Sequence, residues 1–214
     1  MTIERLIRAI PPPALAAEAY NGPWEPIEAE IGIALPQDYK DFVRLYGSGY
    51  FMQFLGIYVP RSKNPNVRLE RQVRQICDIF QQIGELAYPL WPNPGGLLPF
   101  GVTDNGDFLF WLTRGLPESW QVVVWDRGMQ EFEALGCDLT DFLAGLSTGE
   151  ILPREFPEEL LPCDCLFKPH YGQLRRWVRL AAASPNNGAF GFTWRMGAYG
   201  AVSGRSTCRL RGYG

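Results

Sequence analysis

The sequence has no apolar run that approaches the roughly 18 residues of a membrane-spanning helix. Its first ten residues are too charged, and their apolar part is too short, for a secretory signal. Cysteine is scarce, odd in number and scattered, which argues against a disulfide framework. We therefore expect a cytoplasmic protein with reduced thiols at Cys77, Cys137, Cys163, Cys165 and Cys208.

Several signatures of enzymes and metal sites are also missing. The sequence contains neither a P-loop nor a His-Glu-x-x-His motif, and its single histidine is His170. Cys163 and Cys165 with His170 resemble part of a zinc site, but the cysteines are separated by one residue and no fourth ligand beyond Cys137 is evident. We expect no catalytic residue, no cofactor and no metal ion.

Acidic residues are absent after Asp164, whereas eight basic side chains follow it. Residues 1–164 carry 23 acidic against 12 basic side chains, a net charge of −11, in a chain whose overall net charge is −3. Such asymmetry bears on the choice of partner and says little about the fold. The pattern predicts an acidic domain followed by a basic tail.

The tail, residues 168–214, is rich in glycine, alanine and arginine. Its last thirty or so residues lack apolar periodicity, so we expect disorder there. Three interpretations stay open: the tail binds nucleic acid, it folds back on the acidic domain, or it is a non-native extension.

Amphipathic spacing predicts helices in the first half of the chain. Ile3, Leu6, Ile7 and Ile10 share one helix face, and three prolines follow, so residues 1–20 are predicted to be a helix and a linker. Glycine and proline punctuate the helices that come next. These run from Trp24 to Gly32, from Leu35-Pro36 to Gly47, and from Leu69 to Ile83.

Alternating or continuous apolar runs predict the strands. Asn105-Gly106 between two such runs favours a type I′ hairpin turn. The second run of this hairpin is apolar on both faces, which is typical of a strand covered on both sides. We predict strands over Phe51–Val59, Leu97–Val102, Phe108–Leu112, Gln121–Trp125 and Glu131–Ala134, then a helix capped by Asp138 with Asp141.

Six segments, taken in order, carry a resemblance: Trp24–Glu28, Leu35–Phe42, Tyr46–Gly49, Leu98–Gly101, Asp104–Asp107 and Thr140–Leu143. Together they resemble the SMI1/KNR4 family of the SUKH superfamily. The resemblance implies an α+β fold over residues 21–167, with a mixed, mostly antiparallel sheet packed with helices. It also implies a protein-binding module without catalytic residues. Bacterial members are commonly immunity proteins that neutralise a cognate toxin, often a nuclease.

The acidic balance suits a basic partner, because complementary potentials raise association rates. A toxin that degrades nucleic acid must itself be basic to hold phosphates. We therefore expect a basic toxin as partner, no membrane contact, and nucleic acid only through the basic tail. The alternative hypothesis is a regulatory or scaffold domain that binds a cellular protein.

Asp104 and Asp107 flank the predicted hairpin turn. Two nearby carboxylates suit metal binding or acid–base catalysis, which is a third hypothesis. The structural interpretation is favoured: Asp107 caps the hairpin through backbone N–H groups, and Asp104 lies in a solvated turn.

Aromatic residues beside glycines, loops and strand starts are candidates for the rim of an interface, although most of the seven tryptophans belong in the core. Tyr50 and Phe51 follow a Gly-Ser-Gly segment, Trp91 lies in a Pro/Asn/Gly loop, and Trp120 precedes a strand. The predicted partner-binding residues are Tyr50, Phe51, Trp91, Asp104, Asp107 and Trp120.

Overall fold

A computed structural model describes residues 3–160 and 166–170 of the chain. Most of the predicted basic tail, together with Cys163 and Cys165, lies outside these residues. The described part contains five α-helices and seven β-strands. The helices are α1 Glu4–Ala9, α2 Glu25–Ile31, α3 Gln37–Leu45, α4 Leu69–Gln81 and α5 Leu139–Thr148; the strands are β1 Gly49–Phe51, β2 Leu55–Ile57, β3 Leu97–Thr103, β4 Phe108–Leu112, β5 Gln121–Trp125, β6 Phe132–Ala134 and β7 Phe167–Pro169.

The seven strands form one sheet in the order β6-β5-β4-β3-β2-β1-β7. Every pairing between these strands is antiparallel. In the described part of the chain, parallel pairing occurs only as isolated bridges, such as the one between Leu90 and Leu97. The predicted α+β class with a mostly antiparallel sheet is confirmed.

Helices cover both faces of the sheet. On one face the α4 residue Phe80 packs its ring 4.8–5.6 Å from the rings of Phe108, Phe110 and Trp125. On the other face the α3 residue Tyr39 packs 5.0 Å from Trp111, and α5 lies beside α3 and β5. Strand β4 is therefore enclosed on both sides, as its continuous apolar sequence predicts.

Two of the predicted helix ends, at Gly32 and Asp138, agree with the structure because local chemistry fixes them. Gly32 ends α2 in the left-handed conformation at φ 92°. Asp138 caps α5 by accepting a hydrogen bond from the backbone N–H of Asp141 at 2.8 Å.

Two predictions about strands and turns are wrong. The stretch Phe51–Val59 is not one strand, because the chain turns sharply at Met52 and Gln53, both with positive φ, between β1 and β2. The β3–β4 turn is not type I′ either, because only Gly106, at φ 91°, has positive φ. Its N–H donates to the carbonyl of Thr103, so the loop is a three-residue turn closed by a left-handed glycine.

The predicted N-terminal segment, residues 1–20, and the residues at the predicted boundary after residue 167 both make contacts with the central domain. In the predicted N-terminal segment, the α1 residue Arg5 reaches α5, where its guanidinium contacts Asp141 at 3.1 Å and Glu150 at 2.5 Å. At the other end, the predicted boundary between residues 167 and 168 falls inside β7, which pairs with β1.

Candidate functional site

Antiparallel pairing brings three hairpin turns to one end of the sheet. They connect β1 to β2, β3 to β4, and β5 to β6. The first two touch because the N–H of Asp104 donates to the carbonyl of Phe54 at 2.8 Å. The second and third touch because the Arg127 guanidinium donates to the carbonyl of Asn105 at 3.2 Å.

The segment after α5 joins the same end of the sheet. The ring of Phe156 packs against Phe54 at 5.1 Å, and the N–H of Arg154 donates to the carboxylate of Glu133 at 2.9 Å. We name this region the turn surface and define it as residues 52–54, 104–107, 126–134 and 152–158.

The turn surface is strongly acidic. Its acidic residues are Asp104, Asp107, Asp126, Glu131, Glu133, Glu155 and Glu158, against the two bases Arg127 and Arg154. Nearly half of the net charge of −11 in residues 1–164 therefore falls on this one end of the sheet, at a net −5. Arg154 lies beside two of these acids, with its guanidinium 3.8 Å from Glu131 and from Glu133.

Two of these acids are buried and hold the turns in place. The Asp107 carboxylate accepts hydrogen bonds from the Thr103 hydroxyl at 2.7 Å and from the backbone N–H of Arg127 at 3.2 Å. Asp126 accepts from the N–H groups of Gly128 and Met129 at 2.6 and 2.7 Å. Asp107 therefore ties one turn to the next, whereas Asp104, Glu131 and Glu155 are exposed.

Exposed apolar side chains accompany the exposed acids. Met129 in the β5–β6 turn is 65% exposed, and Leu152 is 46% exposed. These two side chains add exposed apolar area to the acidic turn surface.

The six predicted contact residues do not form one site. Tyr50 is half-buried and lies one residue before Phe51, where β1 ends at the turn surface, and Asp104 belongs to that surface. Trp91 lies at the opposite end of β3, where its backbone N–H donates to the carbonyl of Leu97. The seven residues of β3 separate Trp91 from Asp104 by about 20 Å.

For three of the six residues, burial corrects the prediction that they contact a partner. Phe51 is fully buried between α3 and β7, in contact with Phe42 and Phe167. Asp107 is 3% exposed and serves the turns, and Trp120 is 2% exposed, 6.1 Å from Trp111. A position before a strand or after glycines therefore did not place these side chains at a rim, because helices and neighbouring strands cover them.

One motif was missed in the sequence. Gly145–Gly149 matches the Gly-x-Ser-x-Gly pattern, which marks a nucleophile when the serine lies on a strand-to-helix turn. Here the segment is the end of α5, and the Ser147 hydroxyl donates to the carbonyl of Ala144 at 2.7 Å. This serine is a helix residue bonded to its own helix and lacks the geometry of a nucleophile elbow.

A gap at the turn surface is too small for a small-molecule ligand. The gap between Val124, Glu131, Glu133 and Arg154 measures about 10 Å³, room for about one water. Among residues 3–160 and 166–170, no three His, Cys, Asp or Glu side chains are grouped to hold a metal ion. Within the same residues, no helix has both the length and the apolar character to cross a membrane.

Comparison with known proteins gives one positive result. The model of the SMI1-KNR4 cell-wall family matches residues 22–143, more than half of the chain. This range contains α2 to α4 and β1 to β6, with the beginning of α5. Neither the curated proteins nor the solved structures gave a match.

Proposed function

This chain belongs to the SMI1-KNR4 cell-wall family, and we propose that it is a non-enzymatic immunity protein that neutralises a cognate toxin by direct binding. The partner is a basic protein, for example a nuclease, and the complex forms in the cytoplasm with one inhibitor for each toxin. No cofactor or metal takes part. Occlusion of the toxin's active site, rather than chemistry, accounts for the neutralisation.

The observation that carries this proposal is the turn surface. Its acidic residues outnumber its basic ones by five, and exposed Met129 and Leu152 lie among them. A protein that holds nucleic-acid phosphates has a positively charged cleft. An acidic surface with apolar anchors complements such a cleft in charge, which steers association, and in apolar contact, which slows dissociation.

Co-expression tests the proposal directly. The toxin encoded beside this gene is expressed in cells with and without the full-length protein, and the two purified proteins are mixed for size-exclusion chromatography. We expect protected cells and a stable complex. Unprotected cells, or separate elution of the two proteins, would contradict the proposal. A neighbourhood without toxin or secretion genes would favour a regulatory domain that binds a cellular protein.

A matched pair of double variants locates the binding surface. Glu131→Gln with Glu155→Gln removes two exposed charges from the turn surface, whereas Glu25→Gln with Glu118→Gln removes two exposed charges elsewhere. We expect the first pair to weaken toxin binding about tenfold or more and the second to change it less than about twofold. Equal effects of the two pairs would show that net charge matters and the turn surface does not.

A further inference from the structure

Strand β6 is an edge of the sheet, and within residues 3–160 and 166–170 nothing pairs with the backbone groups on its outer side. The N–H of Asp126 donates to the carbonyl of Glu131, and the N–H of Leu135 donates to the carbonyl of Val122. Hydrogen bonding alternates along an antiparallel pair of strands. The backbone N–H and C=O groups of Glu131, Glu133 and Leu135 therefore point toward β5, whereas those of Phe132 and Ala134 point outward. Across the described residues, no hydrogen bond reaches these outward groups.

The segment around Arg154 approaches β6 but leaves the outer side of the strand uncovered. Pro153, Arg154 and Glu155 line a small gap with Val124 and Glu133, whose side chains share one face of the sheet. The segment therefore packs on a face of the sheet and does not pair with the outer side of β6. Ala134 is exposed and Phe132 is half-buried.

The two faces beside the edge differ in chemistry. On the face of Glu131 and Glu133, Arg154 partly neutralises the two carboxylates, with its guanidinium 3.8 Å from each. On the other face, Phe132 contacts Tyr88, whose ring centroid is 5.6 Å away. Tyr88 borders an open depression of about 500 Å³, which is lined by apolar side chains such as Phe80, Leu86 and Leu90 and also by the polar residues Gln81, Glu85 and Asn93.

We infer that β6 is a docking edge that accepts an extended, basic segment of the partner protein as an eighth strand. In this arrangement the backbone of the segment pairs with Phe132 and Ala134. Alternate side chains of the segment then fall on opposite faces. Basic ones meet Glu131 and Glu133, and apolar ones enter the depression beside Tyr88.

Charge distinguishes this occupant from a second copy of the chain. Two β6 edges paired antiparallel would bring Glu131 and Glu133 of both copies together, and like charges directly opposite are destabilising. A basic strand instead finds opposite charges on one face. The inference deepens the proposed function, since the basic character of the partner rests on it.

The substitution Ala134→Pro tests the edge at the backbone level. Proline has no N–H, and it is tolerated in an edge strand where that N–H faces solvent, so the fold should persist. Ala134→Val keeps the N–H and serves as the matched control. The probes are two heptapeptides, one alternating lysine with valine and the other alternating glutamate with valine.

Binding of both peptides to the full-length protein is followed by NMR, together with amide exchange at Phe132 and Ala134. We expect the lysine peptide to bind, to slow exchange at both amides, and to bind Ala134→Pro about tenfold more weakly. Ala134→Val should bind within about twofold of the original protein, and the glutamate peptide should not bind.

Equal binding to the proline and valine variants, unchanged amide exchange, or no binding of the lysine peptide at about 1 mM would overturn the edge assignment. If the proline variant fails to fold, amide exchange in the original protein still decides whether the peptide pairs with β6. Toxin binding by Ala134→Pro within about twofold of that by the original protein would reject the edge and leave the neutralising function intact. If the original protein does not bind the toxin, the neutralising function is rejected. Binding of the two peptides would still test whether β6 accepts an added strand.

Discussion

Asp107 shows at the scale of one residue why a carboxylate beside a turn is not by itself a site. Its two oxygens accept from the Thr103 hydroxyl and from the Arg127 N–H, and only 3% of the residue is exposed. A buried carboxylate with such partners stabilises structure, and removing it would leave these donors unpaired. Its neighbour Asp104, three residues earlier, is exposed at the surface.

Gly106 provides the first prediction at this scale. Gly106→Val places a β-branched side chain at φ 91°, a conformation that such residues strongly disfavour. We expect the free energy of unfolding, measured by urea denaturation, to fall by about 1–2 kcal/mol or more. Gly106→Asn should lose less, because asparagine tolerates positive φ better. An unchanged melting temperature for Gly106→Val would contradict this role of the glycine.

At the scale of elements, the beginnings of α3 and α5 meet through two carboxylates. Asp138 caps α5, and Asp38, in the first turn of α3, accepts a hydrogen bond from the N–H of Thr140 at 3.2 Å. Burial, reinforced by the negative charge of Asp138, raises the pKa of Asp38 to about 6. The contact therefore joins the two helices at an electrostatic cost.

The cap itself gives the second prediction. Asp138→Ala removes the acceptor for the Asp141 N–H and should lower the free energy of unfolding by about 1 kcal/mol. Asp138→Asn keeps an acceptor and removes the charge that opposes Asp38, so its stability should match or exceed that of the original protein. Equal losses in both variants, compared by urea denaturation, would show that charge and not capping is what matters at this position.

Asp38 gives the third prediction, on pH. Its pKa in the folded state, about 6, lies above the value near 4 of an unfolded chain, so the folded state binds this proton more tightly. Its contribution to stability is complete below about pH 4 and is lost as the pH rises to about 6, by at most about 3 kcal/mol.

Asp38→Asn removes this titration. The free energy of unfolding of the original protein should therefore decline relative to that of the variant between pH 4.5 and pH 7. Parallel stability curves for the two proteins over this range would contradict the raised pKa.

At the scale of the whole molecule, charge is unevenly distributed. The turn surface holds seven of the 23 acidic residues on four short segments, and it includes the edge strand β6. An uneven field of this kind orients an approaching basic protein before contact, which raises the association rate.

The fourth prediction follows from this field. The rate at which the protein associates with its purified toxin should fall about tenfold or more between roughly 50 and 300 mM salt, because mobile ions screen exposed charges. The dissociation rate should change much less. An association rate independent of salt, measured by stopped-flow fluorescence, would exclude electrostatic steering by the turn surface.

Local patterns in the sequence determined the helices, most strands and the identity of the domain. Helix ends at Gly32 and Asp138, and the enclosed strand β4, follow from capping chemistry and from apolar spacing over a few residues. These signals are short-range, so a sequence pattern contains them completely. The division of β1 from β2 was missed because Met52 and Gln53 adopt positive φ, and no glycine at either position indicates a turn.

The sequence also determined that the domain is acidic, because a net charge is only a sum over residues. Where that charge lies, and which aromatic residues are covered, was decided by the order of strands in the sheet. Pairing of distant segments buried Phe51 and Trp120 and brought Asp104, Glu131 and Glu155 to one end. Contacts between residues far apart in the chain set burial and proximity, and no local pattern encodes them.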